Sequence, residues 1–140
     1  MRTCLTLIVA TVSLAAAYAQ DADTASIQAK VTEGIKTRDA SVAAFAQGQT
    51  DEGRKLGETS VTLLREAREA YDAMGAAESN DFGVLVAYAD LLVEQGDHDL
   101  AEKALLRAVD VDRESAQAWL KLGQTESRLG PRSETRAIRS

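Results

Sequence analysis

The 140 residues carry 22 acidic against 16 basic side chains, a formal net charge of −6, a balance that repels phosphates and argues against a nucleic-acid binder. One cysteine and one histidine leave little material for a disulfide framework, a metal cluster or a nucleophile–base pair. With a single proline and few aromatics, the composition favours helix, and no stretch alternates apolar and polar residues as a strand would.

The chain opens with the pattern of an export signal. Met1-Arg2 is a short positive start, Leu5 to Ala17 is apolar apart from Thr6, Thr11 and Ser13, and Ala17-Tyr18-Ala19 offers a cleavage site. The apolar run is shorter than the ~20 residues of a membrane span, so cleavage after Ala19 is expected rather than retention as an anchor. Cleavage takes Cys4 with it and, by removing Arg2, moves the formal charge from −6 to −7. An exported domain without thiols must be held by helix packing. That suits a bacterial periplasm, with secretion as the alternative, and leaves no stable membrane insertion.

Asp21 to Thr24 supplies cap residues for a first helix carrying Ile27, Val31, Ile35, Val42 and Phe45, with Gly34 as a point of irregularity. Gln47 to Thr50 reads as a break, with Thr50 or Asp51 capping the next helix. That helix carries Leu56, Leu63, Ala67, Ala70, Tyr71 and Met74 on one stripe and a charged face from Glu58 to Asp72. Gly75 to Asn80 reads as a turn, and Asn80 or Asp81 caps a third helix running to about Gln95. Gly96 to Asp99 forms a tight turn with a C-terminal glycine and an N-capping aspartate. A fourth helix follows through Ala101, Ala104, Leu105, Ala108 and Val109. Asp112 to Ser115 turns again, and Ala116 to Leu129 makes a fifth helix that Gly130-Pro131 ends.

Within this run lies a 34-residue echo. Leu85, Tyr88, Ala89 and Gly96 fall in register with Trp119, Leu122, Gly123 and Gly130. A repeat of that length is one helical hairpin that buries its apolar face only by stacking on copies of itself. These residues resemble the tetratricopeptide repeat: large, large and small residues in the first helix, then Ala101, Leu105 and Ala108 in the second. The resemblance covers 82–130 and extends in part to Ala67 and Tyr71. It fails at Asp51, Arg54 and Lys55, and before Thr50 it is absent. The last copy is incomplete, with Thr135 and Arg139 opposite Ala101 and Leu105.

The expected architecture is therefore all-α, a short solenoid of stacked hairpins behind a cleaved signal. It divides into a signal at 1–19, a helical hairpin with a degenerate repeat at 20–80, one full and one half repeat at 81–130, and a flexible basic tail at 131–140. The resemblance implies a non-catalytic module that binds or scaffolds a protein or peptide, with no cofactor. The alternatives are a structural bundle that self-associates and an accessory subunit of an envelope enzyme complex.

The resemblance also implies a groove lined by Val86, Asp90, Glu94, Leu120, Lys121, Gln124 and Arg128. Val86, Asp90 and Leu120 stand where carboxylate-gripping versions use Lys and Asn, so an apolar or basic peptide fits better. Tyr88 and Trp119 are assigned to the core rather than to ligand stacking. The Asp97-His98-Asp99 run lacks a rigid further metal ligand. The Asp110, Asp112, Glu114 series lacks glycine at Ser115 and an acid at Lys121, as a calcium loop would need. The incomplete C-terminal repeat leaves an apolar edge on which a second copy or a partner's helix could dock.

Overall fold

The structure, a computed structural model, describes residues 4–130, with side chains from residue 23 onward. The signal expected at 1–19 and the basic tail expected at 131–140 therefore fall outside the described side chains. Five α-helices follow in order: α1 Cys4–Ala46, α2 Thr50–Ala73, α3 Phe82–Glu94, α4 His98–Val111 and α5 Ala116–Leu129. A single 3₁₀ turn, Ala76–Glu78, stands before α3. There is no strand among the described residues, and no helix there is long and apolar enough to cross a membrane.

Helix boundaries follow local chemistry. Gly48, Gly75, Gly96 and Gly130 close α1, α2, α3 and α5, each in the left-handed region that side chains resist. Asp81 caps α3 by accepting the amide of Val84 at 3.1 Å, and Ser115 caps α5 by accepting that of Ala118 at 3.3 Å.

Three expectations about caps fail. α1 runs unbroken through Asp21 to Thr24, so these residues do not start a helix, and Gly34 does not disturb it. Gln49, not Thr50 or Asp51, stands at the α2 cap position, and it makes no side-chain cap bond. Asp97 stands at the α4 cap position but does not cap, because its carboxylate is drawn away to Arg68.

The core is continuous from Ile27 on α1 to Leu122 on α5. α4 buries Ala101, Ala104, Leu105, Ala108 and Val109, the i, i+3, i+4, i+7, i+8 stripe of an amphipathic helix. α3 is buried nearly all round because it lies centrally in the stack. Full burial of Leu85, Leu91, Leu92 and Leu105 contributes about 1.5–3 kcal/mol each. On α2 the buried line is Gly53, Ser60, Leu64, Ala67 and Tyr71. The predicted stripe is thus rotated, with Leu56, Leu63, Ala70 and Met74 half-buried at its border.

α1 and α2 approach closely because small residues face each other. A Cβ on Gly34 would lie 2.9 Å from the Leu64 side chain, and one on Gly53 would lie 2.9 Å from the Phe45 ring. Val42 and Phe45 belong to the predicted apolar stripe of α1, yet both are exposed.

Polar links fasten one hairpin to the next. Arg68 of α2 binds Gln95 at the end of α3 and Asp97 at the start of α4. The Tyr88 hydroxyl of α3 donates to Asp72 of α2 at 2.7 Å, and its ring tilts against Tyr71 with centroids 5.7 Å apart. Burial and the bond to Asp72 push the Tyr88 phenol up to about 12, and burial raises Tyr71 as well.

Candidate partner-binding wall

α1, α3 and α5 stand side by side, and two ion pairs tie them together across one face. Arg38 of α1 binds Glu94 of α3, and Lys121 of α5 binds Asp90 of α3 at 2.6 Å. The bond to Glu94 raises the Arg38 pKa, with a smaller contribution from Asp39. Asp90 and Glu94 lie one helical turn apart, so α3 presents both acids on the same side, one toward each neighbour. A wall built this way carries fixed, mostly neutralised charge.

Between α3 and α5 the wall dips into a shallow cleft of about 60 Å³ lined by Asp90, Val93, Leu105, Lys121, Gln124, Thr125 and Arg128. Four of the seven residues picked from sequence, Asp90, Lys121, Gln124 and Arg128, meet here. Glu94 joins the same wall through Arg38. Val86 does not: it is 7% exposed and packs with Leu85, Phe82 and Ala108. Leu120 is 63% exposed but is absent from the cleft lining, because it lies on the flank of α5 that Val86 occupies one repeat earlier on α3. A wider cleft of about 380 Å³ lies between the Gly96–Leu100 turn and the end of α5, with His98 and Arg128 on its border.

Sequence reasoning missed Arg38, since the first helix carried no repeat signal. It also misplaced Trp119. The indole is 52% exposed and donates its Nε1 hydrogen to the carbonyl of Arg113 at 2.9 Å. Tyr88 lies in the core as expected, with Tyr71 rather than Trp119 as its aromatic neighbour.

The paired first helices and the 34-residue step of the stack are features a family model can test. Residues 82–125 match the tetratricopeptide repeat model. The resemblance read over 82–130 thus holds over a segment of the chain, from α3 through most of α5. No curated protein matches the chain. Tetratricopeptide repeats are protein–protein interaction modules and are typically non-catalytic. In this repeat segment Leu85, Ala89, Ala101, Leu105 and Ala108 are all buried, with small residues where α3 and α4 cross.

Proposed function

We propose that this chain is an exported, non-catalytic protein-interaction module, with the bacterial periplasm as its compartment and secretion as the alternative. The observation that carries the interaction reading is the repeat match at 82–125 on a stack whose first helices form one ion-paired wall. The Met1–Ala19 pattern and a mature chain without cysteine support export. On this reading an extended apolar or basic peptide lies along Asp90, Glu94, Lys121, Gln124 and Arg128, its cations sharing Asp90 with Lys121 and Glu94 with Arg38.

Two measurements test it. Expression of the full chain in a bacterium, followed by fractionation and N-terminal sequencing, should yield a periplasmic product beginning at Gln20. A cytosolic product beginning at Met1 would overturn export. An immobilised array of basic, apolar and acidic peptides should retain the protein on the first two. Asp90→Lys should weaken retention about tenfold, and retention indifferent to that change would overturn the wall as the site.

A second reading, self-association through the C-terminal end, is favoured by the exposure of Leu120 on α5.

A further inference from the structure

Lys121 stands at a position where the repeat itself requires no cation. One 34-residue step earlier the place belongs to Ala87, half-buried and packed against the core of the stack. On α5 the same position carries an ammonium that reaches across to Asp90 of α3 at 2.6 Å. The lysine side chain is 27% exposed and that of the aspartate 51%, so the acid is the more open half of the pair.

Both residues line the α3–α5 cleft, where Val93 and Leu105 supply apolar surface beside the bond. The other cations of the wall are placed differently. Arg38 divides its guanidinium between Glu94 and Asp39, whereas Lys121 has Asp90 as its one ion-pair partner among the described residues. Arg128 lines the same cleft and has no ion-pair partner among the described residues. The acid beside the cleft is thus already held by a basic side chain of the chain itself.

We propose that Lys121 is an internal competitor for the ligand of the wall: it holds on Asp90 the place that a basic residue of a bound peptide takes, and that peptide binds by loosening this bond. The proposal rests on the reading of α1, α3 and α5 as a peptide-binding wall and names the ligand more closely. Asp90 and Val93 lie three residues apart on α3 and so share a face. A cation followed two residues on by an aliphatic side chain matches them, because in an extended peptide such residues lie about 6.6 Å apart on one side. Charge makes the two cations rivals, since two ammonium groups on one carboxylate repel at short range. A bond between largely exposed side chains is also weak enough for a ligand to displace.

The probe is a fluorescein-labelled peptide of sequence Lys-Ser-Val-Ser-Lys-Ser-Val-Ser, titrated with the full chain at physiological ionic strength and read by anisotropy. Lys121→Gln should tighten its binding about fivefold. Lys121→Met keeps the aliphatic stem on the cleft and should do the same, with circular dichroism checking that both variants fold. Arg128→Gln removes the same charge from the same cleft without freeing an acid, and should change the affinity by no more than about twofold. In an Asp90→Asn background the gain from Lys121→Gln should vanish, and a peptide carrying Glu for Lys should show no gain in any background. Equal gains in Lys121→Gln and Arg128→Gln, or a gain that survives Asp90→Asn, would overturn the proposal by reducing it to net charge. Equal binding by the wild type and both Lys121 variants would overturn this proposal alone, whereas binding by no form would overturn the wall reading with it.

Discussion

Ser60 donates its hydroxyl hydrogen to the carbonyl of Gly34 at 2.7 Å, and the bond has a counterpart where Ser41 donates to Gly53 at 2.6 Å. Gly34 with Ser41, and Gly53 with Ser60, are each two turns apart, so each pair shares a helix face. The glycines bring the backbones together and the serines bind across the contact. Gly34→Ala forces a methyl against Leu64. It is expected to destabilise by about 1–2 kcal/mol net of the helix propensity alanine adds, read as a lower urea midpoint. Gly53→Ala should cost less, because the Phe45 ring it meets is half exposed and can swing outward.

Gly123→Ala has the opposite expected sign. It sits inside α5 with open space around it, so the substitution should raise stability by about 0.5–1 kcal/mol. A melting curve that moves down would show that something covers the position.

Alkaline pH should loosen the fold. The Tyr88 phenol is raised from about 10 to about 12 by burial and by donating to Asp72, and Tyr71 moves the same way through burial. A folded pKa above the unfolded one means that this stabilisation is complete below about pH 10 and is lost as pH rises toward 12. Chemical denaturation across that window should show the decline, and Tyr88→Phe should flatten much of it. The same variant should cost about 1–3 kcal/mol at neutral pH through the lost bond to Asp72.

Arg107 holds the turn before α3. Its guanidinium donates to the carbonyls of Ser79 and Glu78, both at 2.7 Å, and to the Asn80 side chain at 2.9 Å. Arg107→Lys keeps the charge but loses the fork. It should therefore destabilise nearly as much as Arg107→Ala, by about 1–3 kcal/mol. Hydrogen exchange at residues 76–80 should quicken in both.

If copies associate through the end of the stack, Leu120→Glu should abolish concentration-dependent light scattering while leaving the helical content unchanged. Leu122 is the wrong probe, because it is buried and a carboxylate there would break the fold.

Much of this architecture was legible in the chain. The breaks after Ala46, Ala73, Glu94 and Val111 follow from glycine and short polar turns, and the repeat from residue types that recur every 34 positions. The first hairpin hid for a geometric reason. α2 has 24 residues against 14 in α4, so matching positions on α1 lie far upstream of the register that finds Ala67 and Tyr71. For that reason Arg38 was not seen as part of the wall. Its only signal is a cation on an otherwise ordinary helix face. Trp119 was misjudged because its repeat position predicts burial only beneath a following second helix, and none stands among the described residues. Val86 was misjudged because on α3 that position packs against the second helix of its own unit, at Ala108, instead of opening to the wall.

The double glycine–serine seam has a mechanical consequence. Sliding α1 along α2 by one turn would break both hydroxyl bonds at once and drive the Leu64 methyls toward bulkier neighbours. The hairpin thus works as a detent with a single seat. That seat also fixes the height of Arg38 along the stack, and so its register with Glu94 of α3.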